Sequence, residues 1–287
     1  MAVELELAPV VERRDVAAVA PHKGRDQSSG AWSWLWPKLV AIAIVVGAWQ
    51  VVVWSGWRPD YVLPSPIAVF RRLSEDLAHA DFYVGVAITL RRALVGYVIA
   101  AAAGSAIGLV VARVAVLRRA IGSAILGLQS MPSIAWFPLA ILLFQQSETA
   151  IIFVVILGAA PAIAAGLLSG VDHVQPLLIR VGRVMGARGL VLYWHVILPA
   201  ALPAFVGGLK QGWAFAWRSL MAGEIIVIVS HSPSIGQQIQ FARDLADAEQ
   251  LLAIMIVIFV IGVVIDSLFG TLDRAIRLRW GLLGAEA

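Results

Sequence analysis

Six mainly apolar runs, each long enough to cross a bilayer, constrain this chain more than any other feature. They are Leu39–Trp57, Ala93–Ala112 (extending back to about Tyr83), Ala120–Phe144, Thr149–Gly170, Leu202–Val229 and Leu251–Leu272. A helix needs about 20 such residues to span the hydrocarbon core. Only helices that satisfy their own backbone hydrogen bonds, or closed barrels, can cross it, and runs this long are helical. The fold expected is therefore an all-α polytopic membrane protein with about six transmembrane helices. Composition agrees: 60% of the 287 residues are hydrophobic and 14% are charged, against roughly a quarter charged in soluble domains. There is no cysteine, which excludes disulfides and thiolate metal sites.

Residues 1–30 mix both charge signs without periodicity and read as a disordered cytoplasmic tail; residues 31–287 read as one transmembrane domain. No cleaved leader is expected, because the first apolar run starts too late. Trp32, Trp34, Trp36 and Lys38 precede that run and suit a membrane–water interface. With the N-terminus inside, the inner segments carry Arg13, Arg14, Lys23, Arg25, Lys38, Arg113, Arg118, Arg119, Arg180, Arg183, Arg188, Arg274, Arg277 and Arg279. The outer ones carry Arg58, Arg71, Arg72 and Arg243, with Arg91 and Arg92 near the outer start of the second run. This bias places both termini in the cytoplasm and accounts for the basic net charge of +4 without nucleic acid.

Between the first two runs, Ser65 can cap a helix that starts at Pro66. Ile67, Phe70, Leu73 and Leu77 recur there at helical spacing, with Arg71, Arg72, Glu75 and Asp76 elsewhere on the wheel. This helix is expected at the outer interface or against the bundle. Glycines four apart (Gly104/Gly108, Gly166/Gly170, Gly182/Gly186, Gly208/Gly212) read mainly as close helix contacts. Pro132 and Pro138 should kink the third run; Gln129 and Ser130 beside them either line a pathway or bond the carbonyls that the prolines free. Trp213 and Trp217 read as packing or dimer contacts.

The segment 171–198 is too long for a turn and too basic for the bilayer interior. Leu177, Leu178, Val181, Val184 and Met185 form an apolar stripe. Gly186 and Gly189 can break the helix, and a second short helix over about Leu190–Ile197 should precede Pro199. The product is a compact cytosolic knob, or else a loop lying against its own bundle.

Gly186, nine residues, then Val196-Ile197-Leu198-Pro199 resembles the loop motif of bacterial ABC importer permeases: Glu-Ala-Ala, three residues, Gly, nine residues, Ile-x-Leu-Pro. Arg180, Val181 and Gly182 stand where that triplet would be. The resemblance covers about residues 37–282 and is strongest to permeases for taurine, alkanesulfonates, nitrate and bicarbonate. Leu63-Pro64-Ser65-Pro66, Pro132, Ala135-Trp136, Pro138-Leu139-Ala140-Ile141-Leu142, Pro199-Ala200-Ala201-Leu202-Pro203, Glu224 and Ser234-Ile235-Gly236 also fit. Gln145 replaces a glycine frequent at that place.

The resemblance implies a type I importer permease of the bacterial inner membrane, with a coupling-helix loop. Two permease copies, as a homodimer, would form the pathway. A cytosolic ABC ATPase dimer would bind the ATP, the permease itself holding no cofactor. An extracytoplasmic solute-binding protein would deliver a small solute such as an organic sulfonate, nitrate or bicarbonate. Arg180, Val181, Gly182, Arg183, Gly186, Ala187, Gly189, Leu198 and Pro199 would couple to the ATPase.

The chain carries no phosphate loop, no Gly-x-Ser-x-Gly elbow and no metal-type spacing among its five histidines, His22, His79, His173, His195 and His231. It therefore does not read as an enzyme, and an ion-coupled secondary transporter is the alternative. Besides Gln129 and Ser130, the pathway candidates are Arg218 and Glu224. Arg218 lies about 12 Å deeper than Lys210 at about 1.5 Å per residue. At about 2.5–3.5 kcal/mol or more for an arginine facing lipid, it should either pair with another helix or face the pathway.

Overall fold

The computed structural model describes residues 31–230 and 232–279. The tail expected at residues 1–30 lies outside them, as do His22 and His231. The chain divides into two compact units, Met1–Trp49 and Gln50–Ala287. The described part of the first belongs to helix α1 (Ala31–Trp54), which has the length and apolarity of a membrane span over Trp36–Trp54.

The second unit continues through α2 (Pro66–Ala78), α3 (Ala80–Arg113), α4 (Ala115–Ser130), a 3-10 turn (Ser133–Trp136) and α5 (Phe137–Phe144). After these come α6 (Glu148–Asp172), α7 (Pro176–Val184), α8 (Gly189–Leu192), a π turn (Tyr193–Ile197), α9 (Leu198–Ile226), α10 (Ile235–Asp244) and α11 (Ala248–Arg279). Five helices among the described residues could cross a membrane, and a sixth crossing results if α4 and α5 count as one. That pair is bent by 100°, so the third apolar run is a broken span or a re-entrant loop, broken where Pro132 was expected to kink it. Met131 is extended (φ −73°, ψ 129°), as a residue before proline prefers, and Pro132 has no N–H with which to continue α4.

The core of this unit is built around α6, which lies between α3 and α9. Ala150, Ile151, Val154, Val155, Ala159 and Ile163 of α6 are buried against Ala93 and Ala100 of α3 and Trp213, Ala216, Trp217 and Leu220 of α9. Glycines permit this approach. A Cβ on Gly208 would fall 2.7 Å from the Cα of Gly166, and one on Gly170 would fall 2.8 Å from the Ala201 carbonyl oxygen. The glycine pairs in the spans are thus contact surfaces. Trp213 stacks on Trp217 at 6.2 Å and meets Tyr97 edge-on at 5.2 Å.

Helix α2 starts as its sequence predicts, the Ser65 hydroxyl accepting from the Ala68 N–H. Pro66 and Val69 are buried, whereas Ile67, Phe70 and Leu77 are exposed. Polar pairing turns the helix this way: Arg72 Nε donates to Gln250 of α11, and Gln250 Nε2 donates to Asp76 at 2.8 Å.

Candidate functional site: a glycine-hinged knob and a buried ionic clasp

The segment after α6 begins with Pro176, whose missing N–H suits the first turn of α7. On one face of α7, Gly182 is buried. A Cβ there would lie 2.8 Å from Leu192 Cδ1 and 3.0 Å from Val196 Cγ2, so the absent side chain is what lets α7 seat on the following helix. The other face carries the stripe Leu177, Leu178, Val181, Val184 and Met185, and all five are exposed, Val184 at 89% and Met185 at 82%. The stripe faces away from the bundle.

A Schellman cap ends α7. Ala187 N–H donates to the Gly182 carbonyl at 2.9 Å and Gly186 N–H to the Arg183 carbonyl at 3.1 Å, with Gly186 at φ +88°, the left-handed position that glycine fills without a Cβ clash. Gly189, at φ +56°, starts the next helix. Arg180, Arg183 and Arg188 are exposed, Ala187, Leu198 and Pro199 half-buried.

The second short helix expected over Leu190–Ile197 is not separate. Gly189–Ile226 runs as one helix of 38 residues, marked only by the π turn. Pro199 explains that turn, because it has no N–H to offer the His195 carbonyl and the ladder slips by one residue. Gly186 and Gly189 therefore join α7 to a continuous rod.

Among the described residues no hydrogen bond or ion pair joins the four pathway candidates to one another. Gln129 and Ser130 lie at the end of α4, where the Ser130 hydroxyl donates to the Gly127 carbonyl at 2.8 Å. Arg218 is exposed on α9, and among the described residues no carboxylate pairs with it; its contact is the Phe215 ring, 5.7 Å from the guanidinium carbon. Pairing with another helix of this chain, one of the two expectations for Arg218, does not occur among these residues. Lys210 instead meets Asp266 of α11 at 3.0 Å.

Glu224 is fully buried in a cluster that sequence reasoning missed. Arg92 of α3, 2% exposed, donates to Glu224 at 3.1 Å and to Glu148 at 2.9 Å. Arg91 also donates to Glu148, at 2.8 Å. The Thr89 hydroxyl donates to Glu224 at 2.9 Å and accepts from the Ile235 N–H, while the Gly236 N–H donates to Glu224 at 3.2 Å. This clasp ties α3, the start of α6, the end of α9 and the start of α10. Its sequence signal was Glu224 within an apolar run and two arginines beside another, charges that need partners at membrane depth. Among the described residues, no group of three or more His, Asp or Glu could hold a metal ion.

Comparison with known proteins gives this bundle of membrane-length helices its family. Residues 104–278 match the family described as binding-protein-dependent transport system inner membrane component. The chain is 30% identical over 236 residues to the aliphatic sulfonates transport permease protein SsuC of Escherichia coli K12, covering 82% of this chain and 88% of that one. It is 28% identical over 244 residues to the nitrate import permease protein NrtB of Leptolyngbya laminosa, covering 82% and 85%. Its fold is similar to a chain of the inward-facing MetNI methionine ABC transporter (TM-score 0.59, 21% identity, 67% of this chain and 94% of that chain). The chain belongs to the family of inner-membrane components of binding-protein-dependent transport systems and is a multi-pass ABC importer permease.

Proposed function

We propose that this permease transmits ATP-driven motion of a cytosolic ATPase dimer, through the knob at residues 171–198, to a pathway for a small anion. The carrying observation is the outward apolar stripe of α7. Five such side chains held at one end of a bundle, away from its core, form an interface without its partner. Gly182 seats the helix on α8 and the π turn, which run on into α9, and Gly186 sets its angle, so a partner seated on the stripe would move α9 as a rigid body. ATP is bound by that partner. The permease works as a homodimer supplied by an extracytoplasmic solute-binding protein, and residues 31–287 form its permease domain. The basic bias of the inner segments supports cytoplasmic termini and a cytoplasmic knob. Relatives named for sulfonates and nitrate support a small sulfonate or oxyanion as substrate.

Because the chain has no cysteine, Met185→Cys gives one reporter. An impermeant maleimide should label it in inside-out vesicles stripped of ATPase, and restoring the ATPase should protect it. Labelling in intact cells, or labelling unchanged by the ATPase, overturns the docking role.

A further inference from the structure

We infer that Arg218 forms an anion-binding station on a water-filled face of α9, a reading that rests on the permease function proposed above. Its depth follows from its neighbour. Ser219 is buried against Gly158 of α6. Gly158 lies ten residues after Glu148, the first residue of that 25-residue helix, and so about 15 Å from its outer end. Arg218 therefore sits near the middle of a membrane span. A guanidinium cannot remain there against hydrocarbon, so it faces water or protein.

The composition of the face decides which. On α9 the exposed residues Ala204, Gly207, Gln211 and Arg218 lie within a narrow arc at 100° per residue. The exposed face of α11 carries Met255, Phe259, Val260, Val263, Val264 and Leu268, side chains suited to lipid, and two polar residues among them, Ser267 and the Asp266 that pairs with Lys210. The α9 stripe has small residues and two polar ones in place of the large apolar side chains. Charge gives the sign of the ligand. Lys210 is matched by Asp266, and Arg92 by Glu148 and Glu224, whereas Arg218 is matched by no carboxylate among the described residues. An unmatched guanidinium between low-dielectric walls draws anions, and its planar fork fits the oxygens of a sulfonate or an oxyanion.

Ala214→Cys, four residues before Arg218 on the same face and about 6 Å along the axis, tests this in membranes holding the whole transport complex. Two methanethiosulfonates are compared, one bearing an ethylsulfonate and one a trimethylammonium. Relative to a small thiol in water, the anionic reagent should gain about tenfold over the cationic one. Adding Arg218→Gln should abolish the gain, and Arg218→Lys should retain most of it. Slower labelling in ethanesulfonate but not nitrate assigns an organic sulfonate; the reverse assigns an inorganic oxyanion. Protection by neither overturns the station. So does no labelling by either reagent, a preference that survives Arg218→Gln, or loss of dimer assembly in Arg218→Gln. Labelling at this position does not depend on ATPase seating at Met185, so either proposal can fail while the other stands.

Discussion

At one end of α6 and α9, four charged side chains converge: Arg91, Arg92, Glu148 and Glu224, with Arg92 and Glu224 withdrawn from solvent. At the other end, five apolar side chains of α7 stand in the open. The clasp end completes its interactions within the chain, and the knob end leaves them for a partner. The difference teaches where change is tolerated. A buried carboxylate that loses its guanidinium cannot turn to water, and it destabilises the fold. An exposed leucine or methionine contributes little to the fold and can be exchanged without unfolding it. Stability should therefore track the clasp, and coupling the knob.

The sharpest way to break this comparison is at the clasp. Arg92→Leu leaves Glu224 buried with only the Thr89 hydroxyl and the Gly236 N–H, and should cost about 3–5 kcal/mol. The expected outcome is a large loss of folded protein in mild detergent, read as yield and melting temperature. Arg92→Leu with Glu224→Leu removes both charges together and should recover part of the loss. If Arg92→Leu alone melts like the parent, the pair does not hold α3 to α9.

A smaller effect on the fold, with a complete one on function, is expected at the knob. Gly186 has φ +88° and nothing within 4 Å of a Cβ placed on it. Gly186→Asp therefore meets no clash and costs only the left-handed backbone penalty, about 1–2 kcal/mol. The protein should insert and assemble, while substrate-stimulated ATP hydrolysis and uptake are lost because α7 escapes that penalty by leaving its angle. Normal uptake with normal ATPase binding would show that the angle at Gly186 carries no coupling.

The fold was legible in the sequence where one rule governs. The apolar runs gave the spans, Ser65-Pro66 gave the start of α2, and the glycines four apart gave close helix contacts, though not which helices meet. The knob's glycines were legible because left-handed positions have few alternatives to glycine. The clasp was not. Arg91 and Arg92 read as outer-interface charges although the run was extended back past them to about Tyr83, since nothing local shows that Arg92 turns into the bundle toward Glu148 and Glu224 while Arg91 stays exposed. Glu224 read as a pathway candidate because its partner lies 132 residues away in the chain. Which face of α2 turns inward was not legible for the same reason: Gln250, which bonds Arg72 and Asp76, lies on a distant helix.

The smallest expected effect lies beside the clasp and tests whether that end is optimised throughout. Gln145 ends α5 with φ +58° and ψ −160°, a region that glycine occupies freely and other residues enter at about 1–3 kcal/mol. The resemblance to ABC permeases had marked this position as one where glycine is frequent, and the backbone supplies the reason. The turn is functional in the fold: Ser147 N–H donates to the Gln145 carbonyl at 3.0 Å, and the Ser147 hydroxyl then accepts from the Ala150 N–H to cap α6, which presents Glu148 to Arg91 and Arg92. Its neighbour Gln146 accepts from the Ile228 N–H at 2.9 Å, fastening the same turn to the segment after α9. Gln145→Gly should relieve the strain and keep these bonds, at some loss from a more flexible unfolded chain. A net gain of about 1 kcal/mol is expected, read as a modest rise in melting temperature with uptake unchanged. Ala246→Gly, at φ +55° in the cap of α10, is the matched control away from the clasp and should gain a similar amount. A fall in stability for Gln145→Gly alone would mean that the glutamine side chain itself braces the clasp and that the turn is held by more than its backbone.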